Sequence, residues 1–98
     1  FSEFGRRVAE NGGPTVAGTD HGAAAPLFVV GNGVVAAPGG GHVFGRIPAL
    51  DAGLLDGGRN LAYHTDFRRV YATIIDKWLN GNSATVLGGA FPSVGFLA

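Results

Sequence analysis

Thr65-Asp66-Phe67-Arg68-Arg69-Val70-Tyr71-Ala72-Thr73-Ile74-Ile75-Asp76-Lys77-Trp78-Leu79-Asn80-Gly81 is the stretch on which the reading of the fold turns. Phe67, Val70, Tyr71, Ile74, Ile75, Trp78 and Leu79 recur at alternating spacings of 3 and 1, which places them on one side of a helix. Arg68, Arg69, Thr73, Asp76 and Lys77 fall opposite. The pattern predicts a helix from about Asp66 to Leu79, with Thr65 as its cap and Asn80-Gly81 as its terminator. Asp66 at the start and Lys77 near the end suit the helix dipole. The apolar stripe is wide and rich in aromatic residues, so the helix needs a large apolar surface to lie on. A chain of 98 residues is expected to find that surface in a sheet built mainly by residues outside it.

Upstream, Pro26-Leu27-Phe28-Val29-Val30 is a continuous apolar run between Pro and Gly. Continuous rather than alternating apolarity predicts a strand buried on both faces, as in a parallel sheet. Gly31-Asn32-Gly33 breaks it, Gly39-Gly40-Gly41 marks a second turn, and His42 to Ile47 reads as another short strand stopped by Pro48. At the N-terminal side, Ser2 to Asn11 reads as a short helix. Ser2 would cap it, Phe4 and Val8 would share one face, and Asn11-Gly12-Gly13 would stop it. A glycine-rich loop is expected from Gly12 to Gly22. The closing Ala90-Phe91-Pro92-Ser93 segment has no clear period. The class this predicts is α/β.

Composition narrows the chemistry. There is no cysteine, which excludes disulfide staples, thiolate metal sites and cysteine nucleophiles within the chain. Seven basic and seven acidic residues give no net charge, so nothing points to nucleic acid or to a polybasic membrane anchor. Charged residues are 14 % of the chain, against roughly 25 % usually, so charge-driven disorder is not expected. Thirteen of the 18 glycines lie between Gly12 and Gly58, which predicts a loop-rich half followed by a regular element. The uncharged run from Gly22 to Gly41 contains Pro26, Pro38, Asn32 and six glycines; it reads as a strand and a glycine loop, with no membrane span. No methionine occurs, so the chain is read as a piece of something longer.

Among candidate sites, Gly31-Asn32-Gly33-Val34-Val35-Ala36 matches a dinucleotide fingerprint in letters. That mechanism needs a helix immediately afterwards, and Ala37-Pro38-Gly39-Gly40-Gly41 forbids one. Asp20-His21-Gly22 is more informative: a carboxylate and an imidazole beside a glycine, just before the expected strand, can both turn to one metal. The competing reading is an Asp that caps a turn and a His satisfied by backbone. Glu3 is either a further ligand or a first-turn acid. His42 and His64 are isolated, and Arg6, Arg7 and Arg46 are scattered.

The order of motifs resembles a secreted bacterial family, the domain-of-unknown-function 1501 proteins. Ser2-Glu3-Phe4-Gly5-Arg6-Arg7, Glu10-Asn11-Gly12, Gly18-Thr19-Asp20-His21-Gly22 and Leu27-Phe28-Val29-Val30-Gly31 carry the likeness. Val43-Phe44-Gly45, Thr65-Asp66-Phe67-Arg68 and Phe91-Pro92 extend it over nearly the whole chain. The resemblance implies the C-terminal portion of an alkaline-phosphatase-like three-layer α/β/α sandwich, with residues 1–98 incomplete as a domain. It also implies an exported or periplasmic protein similar to sulfatases and alkaline phosphatases, whose missing N-terminal part is this chain's partner.

In that superfamily Ser2-Glu3-Phe4-Gly5 aligns with the first metal loop and His21 with a later ligand. Glu3 then stands where an Asp ligand would be, and Phe4 where a His ligand would be, which puts a two-metal centre in doubt. The alternative alignment makes Asp20-His21-Gly22 itself the first metal loop. Either way the superfamily's nucleophile lies upstream, so no catalytic residue is expected here. The site expectation is therefore Asp20, His21 and Glu3 around a divalent metal (zinc, calcium or magnesium), acting on a small phosphate or sulfate ester. The other function class is a non-catalytic exported binding or structural protein on the same scaffold.

Overall fold

A computed structural model of the chain describes residues 1–98 and shows a small mixed α/β protein with one two-stranded sheet and two helices. The chain divides into two compact units, residues 1–28 with 47–64, and residues 29–46 with 65–98.

In the first unit the expected N-terminal helix is instead strand β1, Gly5–Asn11, and the expected glycine loop contains strand β2, Gly18–Gly22. They pair antiparallel, with Gly5 opposite Gly22, Arg6 opposite His21, Glu10 opposite Thr19 and Asn11 opposite Gly18. Between Arg6 and Glu10 the register shifts, so that Arg7, Val8 and Ala9 lie across from Asp20 alone. The physical reason for the correction lies in helix length. So short a helix is marginal without a packed face; here that face would have held only Phe4 and Val8, with Gly5 weakening it further. Pairing satisfies the backbone polar groups directly.

Glycine is required at the crossing point. A Cβ on Gly5 would lie 2.0 Å from the Ala24 carbonyl oxygen, and one on Gly22 2.7 Å from the Arg6 carbonyl carbon. The hairpin loop turns at Gly12, whose φ is +91°, and at Gly13–Val16, where the Val16 N–H donates to the Gly13 carbonyl (3.0 Å). Pro14 presets that second turn. Ala24 is the buried apolar residue of this unit. A single 3-10 turn, Ala52–Leu54, precedes a small Asp56–Asn60 bridge that reverses at Gly57 and Gly58, both of positive φ.

In the second unit the expected long helix is present as α1, Phe67–Lys77. Its cap is Asp66 rather than Thr65: the Asp66 carboxylate accepts from the Arg68 N–H (2.9 Å) and is clamped by the Arg68 guanidinium (Nη2 to Oδ2, 2.6 Å). The helix ends as expected, with Asn80 at φ +51° and the Gly81 N–H donating to the Ile75 carbonyl (2.8 Å), an αL stop.

The buried face is rotated from the predicted one. Thr73, placed outward by the pattern, is fully buried, and Val70 and Ala72 are buried beside it, while Phe67, Trp78 and Leu79 are exposed. Arg69 and Thr73 dock the C-terminal segment. Arg69 Nε donates to the Pro92 carbonyl (3.0 Å), and Thr73 Oγ1 accepts from the Val94 N–H (2.9 Å). Phe96 is buried there, edge-on to Phe44 at 6.2 Å, and its carbonyl accepts from the Val35 N–H (3.0 Å).

A second helix, α2, spans Ser83–Leu87, where the sequence pattern predicts no element. Asn82 caps it through the Thr85 N–H (3.0 Å), Gly88 ends it at φ +70°, and Asp76 of α1 accepts from both the Ser83 N–H and hydroxyl (2.8 and 2.7 Å).

Neither expected strand downstream of the hairpin forms. Residues 26–30 are irregular, with Phe28 79 % and Val30 94 % exposed, and residues 42–47 are also without a ladder. A buried strand needs neighbours on both edges, and none of this chain's segments pairs with them. The Gly39-Gly40-Gly41 turn is as expected, with the Ala37 N–H donating to the Gly41 carbonyl (2.7 Å).

The start of α1 should be acid-sensitive. The Arg68 side chain, then its backbone N–H, hold the Asp66 carboxyl down at about 2, from an ordinary 3.8. Because the folded value lies below the unfolded one, this contribution is complete above the ordinary carboxylate range and is lost as pH falls through about 2. Far-ultraviolet dichroism of the wild type minus that of Asp66→Asn, which keeps a capping oxygen but no charge, should shrink over that window. A pH-independent difference would rule out the carboxylate as the source.

Candidate functional site

The hairpin positions the residues on which the sequence centred its chemistry. Asp20 and His21 are consecutive on β2, and consecutive strand side chains leave opposite faces of the sheet. Their partners follow that division. Asp20 Oδ1 accepts from Asn11 Nδ2, and Oδ2 meets Arg7 Nη1 at 3.4 Å. The register shift opposite Asp20 lets Arg7 and Asn11, both on β1, close on one carboxylate. Arg6 donates instead to the Thr19 carbonyl (2.7 Å). His21 stacks on Phe4, with ring centroids 4.2 Å apart and planes 19° from parallel.

Glu3 lies just before β1 on an exposed turn, where Ser2 Oγ accepts from the Phe4 N–H (3.2 Å). The three expected ligands therefore lie in three settings: Asp20 within an Arg–Asn clamp, His21 against an aromatic ring, and Glu3 on the approach to the strand. No group of three or more His, Cys, Asp or Glu side chains converges to hold a metal ion. His42 and His64 join none.

Chemically, the Asp20 cluster is a charge-assisted staple across the hairpin. Its ion pair is partly exposed, with Arg7 30 % and Asp20 52 % accessible at the side chain, and such pairs contribute little by themselves. The Arg7 Nε is buried without a hydrogen-bond partner. The sequence did not point to Arg7 and Asn11 as partners of Asp20. Only the strand pairing brings them together, and an assumed helix over the same residues hides it.

The fingerprint-like Gly31–Ala36 segment forms a β-turn in which the Val34 N–H donates to the Gly31 carbonyl (3.2 Å), followed by the Val34–Leu97 bridge. No helix begins directly after it, so its amides do not form a helix N-terminus that could cradle a pyrophosphate. No helix of the protein is long and apolar enough to cross a membrane. Compared with protein-family models, with curated proteins and with solved structures, the chain finds no match in any of the three.

Proposed function

We propose that this chain is part of a larger exported protein on a sulfatase- and alkaline-phosphatase-like scaffold, contributing the C-terminal portion of its three-layer sandwich and not catalytic alone. The observation that supports incompleteness is surface. Phe28, Val30 and Ile47 (88 % exposed) are open to solvent, in the segments that the sequence reads as strand or strand end. The ordered motifs from Ser2-Glu3-Phe4-Gly5 to Phe91-Pro92 supply the family resemblance. The upstream part of the parent would add the remaining sheet and the nucleophile, and a small phosphate or sulfate ester would be the substrate class of a catalytic parent.

Within that reading, a non-catalytic binding or structural role fits the side chains best. Phe4, which the family resemblance aligns with a ligand position, covers the His21 ring. Both oxygens of Asp20 are already engaged, one of them by a cation, and a metal at Asp20 would have to displace Arg7. The separate settings of Asp20, His21 and Glu3 support this reading over a shared zinc, calcium or magnesium ion.

Two measurements test the proposal. The isolated chain should bind a hydrophobic dye and unfold over a broad range; sharp two-state unfolding of a dye-silent monomer overturns incompleteness. Metal analysis of the longer parent under metal-replete conditions should find none. Stoichiometric metal that is lost in His21→Ala restores the hydrolase reading.

A further inference from the structure

Three of the five asparagines precede a glycine: Asn11-Gly12, Asn32-Gly33 and Asn80-Gly81. In such a pair the glycine has no Cβ to shield its backbone nitrogen, and that nitrogen can close a five-membered ring on the preceding side-chain amide carbon. Closure needs a nitrogen free of hydrogen bonds and an amide side chain free to rotate onto it. The fold grants these conditions unequally.

At Asn80 the nucleophile is occupied: the Gly81 N–H donates to the Ile75 carbonyl (2.8 Å), and a Cβ at Gly81 would lie only 2.9 Å from Ile75 Cγ2. At Asn11 the electrophile is held, because its Nδ2 donates to the Asp20 carboxylate. Gly12 there turns at φ +91° against the Val16 carbonyl oxygen, 2.1 Å from the site of a Cβ.

Asn32 has neither hydrogen bond; the nearest approach at Gly33 is a side chain, with Trp78 Cζ3 3.2 Å from the site of a Cβ. The Asn32 side chain is exposed and makes no hydrogen bond, and Gly33 is the second central residue of the turn closed by the Val34 N–H on the Gly31 carbonyl. The N–H at that position of a β-turn is not consumed by the turn's own hydrogen bond.

We infer that Asn32 is a site of spontaneous deamidation and that the fold protects the two other Asn-Gly pairs. The Gly33 nitrogen gives up its proton to solvent and bonds to Asn32 Cγ. The Cγ–Nδ2 bond breaks, and ammonia leaves with a proton taken from water. Water then opens the cyclic imide at either carbonyl, leaving aspartate or isoaspartate at position 32. No electrons are exchanged. The product converts a chain of zero net charge to one carrying a negative charge. Where isoaspartate forms, it lengthens the backbone two residues before the Val34–Leu97 bridge. The inference is independent of the proposed function.

The test is incubation of the 98-residue chain at mildly alkaline pH, followed by peptide mapping for the amide-to-acid mass change and for isoaspartate at each pair. In buffer Asn32 should react at least about fivefold faster than Asn80, the rate factor that one net backbone hydrogen bond is worth. Asn11 should also lag, and in denaturant the spread should narrow. Equal rates in buffer, a slower Asn32, or an unchanged spread in denaturant would each overturn the inference.

Discussion

Replacing Gly5 by alanine should open the β1–β2 hairpin, and this is the largest single-methyl effect expected in the first unit. Gly5 is buried, and its added Cβ would meet the Ala24 carbonyl oxygen at 2.0 Å, carbon at 2.6 Å and nitrogen at 2.8 Å. All three neighbours are backbone atoms, so no side chain can swing aside. Overpacking of this kind typically costs about 1–3 kcal/mol and more where nothing yields; the value here should reach or exceed about 3 kcal/mol, because the backbone itself must move. Amide exchange of the paired β1 and β2 residues reads the loss locally, without requiring the whole chain to unfold in one step. Gly13→Ala is the control. Nothing lies within 4 Å of its Cβ and its φ is not positive, so the change should be neutral or stabilise by up to about 1 kcal/mol. If Gly5→Ala leaves hairpin protection unchanged, the close approach to Ala24 is not what holds the strand end.

Parts of the fold were readable in the sequence and parts were not, and helix α1 shows both. A helix of three turns announces itself through many positions at once, and both the long periodic stretch and its Asn80-Gly81 stop were read correctly. The rotation of its buried face was not readable. Thr73 looks outward by hydropathy, and its burial is made tolerable only by partners some twenty residues away, Ser93 and Val94.

Short elements defeat periodicity for a different reason. Ser2 to Asn11 offers two apolar residues at helical spacing, and pairing with the next segment across the hairpin outweighs so weak a preference. α2 carried a usable signal in Asn82 and Gly88, the cap and the left-handed stop, but its five residues show too little of a stripe to stand out. The Asp20–His21 pair was identified from local sequence, whereas its setting depends on Arg7 and Asn11 across the hairpin. Adjacent letters imply a common target only in a loop; in a strand they face apart.

Thr73→Val should detach the C-terminal segment from α1 while leaving the helix itself intact. Valine keeps the shape and the β-branched backbone preference of threonine, so the change isolates the hydroxyl. That hydroxyl donates to the Arg69 carbonyl (2.8 Å), contacts Ser93 Oγ (3.2 Å) and accepts the Val94 N–H (2.9 Å), all at a residue with 0 % of its surface exposed. With the hydroxyl gone, the Val94 N–H faces a methyl group. Leaving such a group unsatisfied costs about 1–3 kcal/mol, whereas the Arg69 carbonyl lies within α1 and loses only an added bond. Exchange at the Val94 amide should accelerate by roughly five- to a hundredfold, while amides in the middle of α1 change little. Thr73→Ser supplies the opposite deletion: it keeps the hydroxyl and gives up one methyl, worth about 0.8 kcal/mol of burial. The expected order of Val94 protection is therefore wild type, then serine, then valine. Should valine protect Val94 better than serine, the segment is held by packing of the Thr73 methyl, and the hydroxyl's three contacts are a consequence of docking rather than its cause.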